Sequence, residues 1–264
     1  MKLGLCIGMN GADKFELMKE MGFEYVETHI IGNENRTPEE VDAWRNALDK
    51  AGLKCESSAI RFPSEYNPAG EQTKEQLEIA YEKFYGDIEK TRWLGNEILV
   101  IGAGGVRNYP LDKGYDVNNV YEQLAVVLRE VISPAARAFN LTVAIEGLRQ
   151  AESPTYNLTE QSVMSAKASG CDNIKVMTDF YHMATENEDI SKLPSFGDMI
   201  VHAHIANPNG RIMPAAGDGA GYEVFFDNLK KAGYNARLSL EGRIQGEFEP
   251  TMRAAIAEMK KYMW

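Results

Sequence analysis

The sequence predicts a single (β/α)8 barrel spanning residues 1–264, in which a closed ring of parallel strands is surrounded by helices. Three observations support this fold. The length of 264 residues suits such a barrel, for which about 250 is typical. Eight short apolar stretches alternate with helical ones at the spacing of strand–helix units. No Pro/Ser-rich linker or change of composition interrupts this alternation, which indicates one domain.

The strands are predicted from alternation of apolar with small or polar residues between turn signals. They are Leu3–Met9, Phe23–Ile30, Leu53–Ile60, Glu97–Ile101, Leu141–Glu146, Ile174–Asp179, Met199–His204 and Arg237–Glu241. In the fifth strand, Val143 and Ile145 form an apolar face, while the opposite face ends in Glu146. A glycine follows directly, so we expect this carboxylate at the carboxyl end of the strand, where α/β proteins hold their active sites.

The helices are predicted from caps and from 3.6-residue periodicity. Thr37-Pro38-Glu39-Glu40 has the form of a capping box with proline at the first helical position, and Thr73 opens a long amphipathic run. The other predicted helices are Asp13–Met21, Asn119–Phe139, Thr159–Ser169, Tyr222–Ala232 and Pro250–Met263, and the helix at Pro38 is expected to run to Lys50.

Composition narrows the classes of partner. A formal net charge of −11 leaves no electrostatic footprint for nucleic acid. The three cysteines lack paired spacing, which suits a reducing compartment. No stretch approaches the roughly 20 apolar residues that a membrane span needs. We therefore expect a cytoplasmic protein that acts on a small molecule, without nucleic-acid or membrane partners.

Four polar residues end the last four predicted strands, and they are Glu146, Asp179, His204 and Glu241. Each alone is explained equally well as a helix cap or a surface residue. All four at matching strand ends, 25 to 37 residues apart, are much harder to obtain by accident. Three carboxylates and one imidazole suit a divalent metal ion, with Mn²⁺ favoured and Mg²⁺, Co²⁺ or Zn²⁺ possible.

The chain resembles the xylose-isomerase-like barrels, and within them the ketose 3-epimerase and hydroxypyruvate isomerase group. The resemblance covers essentially the whole chain. It is carried by Ile145-Glu146 with Glu152, Asp179-Phe180-Tyr181-His182, His202-Ala203-His204 with Arg211, Gly217-Asp218-Gly219 with Tyr222 and Phe225, Gly233-Tyr234, and Leu240-Glu241.

This resemblance implies a metal-dependent sugar isomerase or epimerase, which in its relatives is commonly a dimer or tetramer. The implied metal ligands are Glu146, Asp179, His204 and Glu241, and the implied catalytic acid/base pair is Glu146 with Glu241. The implied substrate-binding residues are Glu152, which binds a hydroxyl, and His182 and Arg211, which bind the oxygen that gains negative charge. Two departures concern the substrate: Gly147-Leu148-Arg149 replaces the family's proline or asparagine, leucine and asparagine, and one extra residue precedes Arg211.

Several alternatives stay open. A lyase of inosose or dehydroshikimate dehydratase type would use the same cation and enolate. An abasic-site endonuclease of this fold is disfavoured by the negative charge and by only four histidines. A non-catalytic sugar-binding barrel is a third alternative.

Other polar residues have less definite roles. Five arginines follow predicted strands, and they are Arg61, Arg107, Arg149, Arg211 and Arg243. They either neutralise carboxylates at the mouth or bind an anionic sugar. His202 is expected to support His204 or to fill the barrel core. We assign no role to Glu27 or His29, and we interpret Gly102–Gly105 as a tight turn.

Overall fold

The structure is a computed structural model that describes residues 1–60, 68–102 and 117–264. Its strands are parallel and hydrogen-bonded in chain order, and the eighth pairs with the first to close the barrel. They are β1 (Lys2–Cys6), β2 (Tyr25–His29), β3 (Cys55–Ile60), β4 (Ile98–Ile101), β5 (Thr142–Ile145), β6 (Ile174–Asp179), β7 (Ile200–Ile205) and β8 (Arg237–Leu240). The predicted fold is confirmed, and every strand end lies within three residues of its predicted position.

Helices cover the outside of the barrel. They are α1 (Phe15–Met21), α2 (Pro38–Ala51), α3 (Lys74–Thr91), α4 (Val117–Val127), α5 (Ser133–Arg137), α6 (Thr159–Ser169), α7 (Phe180–Thr185), α8 (Tyr222–Lys231) and α9 (Phe248–Met259). Short 3₁₀ helices span Met9–Lys14, Arg92–Leu94, Ile190–Ser195 and Gly197–Met199. The capping boxes at Thr37 and Thr73 are both present.

One predicted helix is divided. The prediction of a continuous helix over Asn119–Phe139 is wrong, because a π-helical turn at Leu128–Ile132 separates α4 from α5. Pro134 explains the interruption. Proline has no N–H to continue the hydrogen-bond ladder, and its ring crowds the carbonyl four residues earlier.

The strands bury residues on both faces. Residues that point outward, such as Val143 and Ile145, join the large apolar core between barrel and helices. Ile98, Val100, Ala144 and Met177 form a smaller apolar cluster of their own. Their alternation with the outward residues along β4 and β5 places this cluster inside the barrel.

Two register shifts decide which residues face inward. Between β2 and β3 the pairing moves from Val26–Cys55 to Glu27–Ser57, so Glu56 is an extra residue. Between β6 and β7 it moves from Val176–Ile200 to Met177–His202, so Val201 is an extra residue. Such bulges locally break strand alternation.

The prediction that Ile200 shares a face of β7 with His202 and His204 is wrong, because the second bulge lies between them. The sequence places Ile200 on one face with His202 and His204. In the structure Ile200 belongs to the outer core, whereas the two histidines contact Glu27 inside the barrel. The bulge at Val201 supplies the physical reason, because an added residue exchanges the faces of all that follow.

The amino end of the barrel is closed by ion pairs. Glu56 accepts from Lys2 Nζ at 2.7 Å and from Arg237 Nε at 2.5 Å, and Arg237 also pairs with Glu97. These contacts connect β1, β3 and β8 with the residue before β4 at the end opposite the predicted ligands. The structure therefore separates the ion pairs that link strands from the cluster of candidate functional groups.

We predict that Gly4→Ala destabilises the barrel. An added Cβ would lie 2.3 Å from the Tyr25 ring, so the ring or the strand must shift. We expect a loss of about 1–3 kcal/mol in the free energy of unfolding, measured by denaturant titration. Gly86→Ala in α3 is the matched control, because its Cβ meets nothing within 4 Å and alanine favours a helix. Equal stability of Gly4→Ala and the wild type would contradict the prediction.

Candidate active site

The four predicted ligands lie together at the carboxyl ends of their strands. Glu146 and Glu241 directly follow β5 and β8, Asp179 ends β6, and His204 is the penultimate residue of β7. One candidate ligand atom from each lies within 4.8 Å of the other three. His204 Nδ1 is 3.0 Å from Glu241 Oε2 and 3.6 Å from Glu146 Oε1. The sequence-predicted set therefore forms one compact cluster.

Asp179 shows that this cluster fits a cation. Its Oδ1 accepts the backbone N–H of Tyr181 at 2.8 Å and caps α7. Its Oδ2 is buried and has no hydrogen-bond partner among the residues that the structure describes. Burial, together with the charges of Glu146 and Glu241, raises the pKa of Asp179 to about 7. A buried carboxylate oxygen of this kind is costly unless a positive charge meets it.

Glu146 and Glu241 differ in proton affinity. Burial raises the pKa of Glu146, and the charge of Glu241 acts in the same direction. Burial also acts to raise the pKa of Glu241, but His204 and Arg211 outweigh it and lower that pKa to about 2. Carboxyl groups whose environments separate their pKa values are suited to act as an acid and a base.

His182 is a neutral hydrogen-bond donor at the edge of this cluster. Its Nδ1 accepts the backbone N–H of Arg149 at 3.0 Å, so the neutral ring carries its proton on Nε2. Burial and the charge of Arg211 lower the pKa of His182 to about 3. Its Nε2 lies 3.7 Å from Asp179 Oδ2 and 3.8 Å from Glu146 Oε1.

Arg211 reaches the cluster from the segment after β7. Its Nη2 donates to Glu241 Oε2 at 2.7 Å, and its guanidinium lies 4.9 Å from the centre of the Tyr181 ring. The backbone of Arg211 has a φ of +51°, which is unfavourable for a residue with a side chain. Its carbonyl accepts the N–H of Arg243 at 2.7 Å, which anchors this segment to the residues after β8. Backbone strain held by such contacts is typical of functional sites.

Glu152 lies between two arginines. Its Oε1 accepts from Arg149 Nε at 2.6 Å, and its Oε2 lies 3.6 Å from Arg211 Nη1. Arg149 also lies against Tyr181, with its guanidinium 5.4 Å from the ring centre. Arg243 has no carboxylate contact among the described residues and instead donates to the Gly210 carbonyl. Arg61, Arg107 and the loop residues 103–105 lie outside the described residues.

Glu27 is a residue that the sequence reasoning missed. Its Oε1 lies 2.9 Å from His204 Nε2, and its Oε2 lies 2.8 Å from His202 Nε2. His202 therefore belongs to a layer beneath the candidate ligands, as expected for a residue that supports His204. His29, on the same strand, is exposed. Glu27 and His29 are two residues apart, so strand alternation predicts that they share a face. That pattern does not predict the contact between Glu27 and β7.

Cys6 is a further neighbour that the sequence left without a role. Its thiol, one His204 nitrogen and one Glu241 oxygen all lie within 4.8 Å of one another. Burial and the negative charge of Glu27 raise the pKa of Cys6 well above its usual value. Cys6 is therefore a neutral thiol at neutral pH.

The chain belongs to the family of xylose isomerase-like TIM barrels, whose model matches residues 15–262. A Streptomyces coelicolor protein with the provisional name hydroxypyruvate isomerase is 26% identical over 242 residues, or 83% of this chain and 81% of that protein. The D-psicose 3-epimerase of Ruminiclostridium cellulolyticum is 27% identical over 161 residues, or 60% of this chain and 54% of that enzyme. These names support the predicted class of enzyme, an isomerase or epimerase.

A solved structure shows the same fold along the whole chain. The apo crystal structure of 3-keto-D-glucoside 4-epimerase from E. coli has a TM-score of 0.79 and 22% identity, and the match covers 99% of both chains.

Within the described parts of this chain, no helix combines the length and apolar character needed to cross a bilayer.

We predict that Gly102→Ala weakens cation binding by displacing Glu146. A Cβ at residue 102 would lie 1.7 Å from Glu146 Oε2, so the carboxylate must move. We expect the dissociation constant for Mn²⁺, measured by calorimetry on metal-stripped protein, to rise at least about tenfold. Gly8→Ala is the control, because its Cβ meets nothing within 4 Å. An unchanged constant for Gly102→Ala would count against this placement of Glu146.

Cation affinity should fall as the pH falls through about 7. Asp179, with a pKa of about 7, holds a proton below that pH, and a cation must displace the proton before it binds. Each displaced proton costs about tenfold in affinity per pH unit below the pKa. Calorimetry at pH 6 and 8, in buffers with different ionisation enthalpies, measures both the affinity and the proton release. Equal affinity at the two pH values, with no proton released, would be the contrary result.

Proposed function

We propose that this protein is a divalent-cation-dependent sugar isomerase or epimerase. It acts on a keto-sugar or hydroxy-ketone by proton transfer through an enediolate. The observation that carries the proposal is the convergence of Glu146 and Glu241 on the cluster that contains Asp179 and His204. Two strands separate β5 from β8 in the ring, so the two glutamates approach from different directions. Such a pair can remove a proton from one face of a ketose and return one to the other.

Glu146, Asp179, His204 and Glu241 would hold the cation, for which we propose Mn²⁺, with Mg²⁺, Co²⁺ or Zn²⁺ as alternatives. When bound, the cation stabilises negative charge on the substrate oxygens, which makes the adjacent C–H acidic enough for a carboxylate to deprotonate. The Oδ2 of Asp179 is buried and has no hydrogen-bond partner among the described residues, which supports this assignment.

The remaining residues would bind and orient the substrate. His182 would donate its Nε2 proton to the oxygen that gains negative charge, because its Nδ1 is engaged by a backbone N–H. Arg211 would donate to the same oxygen while holding Glu241 in place. Glu152 would accept a hydrogen bond from a neighbouring hydroxyl. In this arrangement His182 stays neutral and directional, while Arg211 supplies the charge.

The charges at the mouth support a neutral substrate over an anionic one. Arg211 pairs with Glu241, Arg149 pairs with Glu152, and Arg243 is bound by a backbone carbonyl. Within the described residues, these three arginines therefore neutralise or brace their own surroundings. A free guanidinium fork is what an anionic sugar would require. We propose a neutral ketose as the preferred substrate.

The test uses metal-stripped protein supplied with Mn²⁺ and a panel of neutral ketoses, their acid or phosphorylated counterparts, and hydroxypyruvate, in D₂O. Proton NMR should show deuterium entering the carbon beside the carbonyl, together with an isomer of unchanged mass apart from deuterium. Loss of water and a conjugated product would identify the lyase alternative. Binding without exchange would identify a sugar-binding protein. A preference for the anionic counterparts would contradict the neutral substrate alone.

Glu146→Gln and Glu241→Gln should each lower turnover at saturating Mn²⁺ by at least about 100-fold, because an amide cannot accept the carbon-bound proton. Both side chains lie at strand ends rather than in the apolar core, so the thermal midpoint should change little. Glu152→Gln is the control, and we expect it to raise KM more than it lowers kcat. Deuterium exchange that persists undiminished in both glutamine variants would exclude the proposed pair.

A further inference from the structure

Glu27 is a charged group inside the barrel, below the candidate active site. Its side chain is only 2% exposed. Its Oε2 accepts from Ser57 Oγ at 2.8 Å, from Ser239 Oγ at 2.6 Å and from His202 Nε2 at 2.8 Å. The other oxygen, Oε1, lies 2.9 Å from His204 Nε2. A buried carboxylate is costly, and here it is surrounded by donors.

The donors that surround Glu27 come from strands spread around the ring. Ser57 is on β3, Ser239 on β8 and His202 on β7, so their hydrogen bonds cross the barrel interior. Ser239 uses its single proton for Glu27, and the nearby Tyr25 hydroxyl at 2.7 Å must therefore donate to the Ser239 oxygen. The Glu27 carboxylate is thus fixed in position by its own hydrogen bonds.

A fixed carboxylate dictates the protonation of the ring that it touches. An ionised carboxylate only accepts hydrogen bonds, so His204 must carry a proton on Nε2. The ligand atom left to a neutral ring is Nδ1, and Nδ1 faces Glu241 Oε2 at 3.0 Å and Glu146 Oε1 at 3.6 Å. The contact with Glu27 therefore turns the ligand atom of His204 towards the other three candidate ligands.

We propose that Glu27 is a positioning residue for the cation site, which it serves by holding the Nε2 proton of His204 and so presenting Nδ1 as the ligand. This inference rests on the proposed cation-dependent function. Glu27 acts in this role only through His204, which its Oε1 contacts. A partner that orients a ligating histidine commonly accounts for 10- to 100-fold in metal affinity.

The test compares MnCl₂ binding to metal-stripped wild type, Glu27→Gln and Ser57→Ala by calorimetry. Glu27→Gln should raise the dissociation constant about 10- to 100-fold, because a neutral amide holds the histidine proton less strongly. Ser57→Ala is the matched control, since it removes a hydrogen bond to Oε2 and leaves the contact between Oε1 and His204. Its constant should change by less than about threefold. Circular dichroism of the metal-free variants monitors their folding.

Two results would overturn the inference: a constant for Glu27→Gln within about threefold of the wild type, or an equal loss in Ser57→Ala. If the wild type binds Mn²⁺ and Glu27→Gln binds it equally well, the inference fails alone. If the wild type binds no divalent cation, the proposed function itself fails.

A measurement on the wild type keeps the inference testable if Glu27→Gln does not fold. The chain has four histidines, so ¹⁵N-histidine NMR spectra are simple to assign with single variants. On addition of ZnCl₂, His204 should keep its proton on Nε2 while the Nδ1 resonance shifts. Loss of the Nε2 proton on zinc binding would show that Glu27 does not hold it, and would overturn the inference.

Discussion

Three carboxylates from β5, β6 and β8 converge on one cluster, and their mutual repulsion must be met by positive charge. Inside a protein the interaction between charges is much stronger than in water. His204 and Arg211 supply part of the balance, since both lie within 3.0 Å of Glu241. Asp179 receives less of this positive charge, so burial and the two neighbouring glutamates raise its pKa. The placement of most groups around the cluster follows from this requirement.

The barrel meets the requirement with two layers of side chains. The upper layer contains the candidate ligands and His182, which stays neutral because burial and the charge of Arg211 lower its pKa. The lower layer contains Glu27 and the three side chains that donate hydrogen bonds to its Oε2, which are those of Ser57, His202 and Ser239. Groups in the lower layer have little freedom, because β-strands fix where their side chains point. Groups held on strands in this way give the rigid support that precise catalytic geometry needs.

The sequence allowed the fold and the four candidate ligands to be predicted because both depend on local patterns. Glu146 and Asp179 end strands whose alternation is visible over a few residues. Contacts across the barrel leave no such pattern. Glu27 and His202 are 175 residues apart, and their meeting depends on bulges that a single sequence does not reveal.

Loop contacts were also beyond the sequence. Whether Arg211 binds a substrate anion or a protein carboxylate depends on its loop conformation, including a positive φ that no local motif indicates. Helix α7 has six residues directly after β6, without a proline or glycine to mark its start. Its cap is Asp179, which the sequence analysis predicted only as a metal ligand. A residue that caps a helix and is also a candidate ligand is difficult to recognise from pattern alone.

The extra residue in β3 has a consequence for how this strand can vary. Glu56 enters the ion pairs at the amino end, and Ser57 after it lies opposite Glu27. Deleting Glu56 would remove the carboxylate that accepts hydrogen bonds from Lys2 and Arg237. The rest of the strand would follow Cys55 in ordinary alternation, which keeps the Ser57 side chain on the same face as Glu27. The extra residue therefore serves the ion pairs at the amino end, whereas the hydrogen bond between Ser57 and Glu27 does not depend on it.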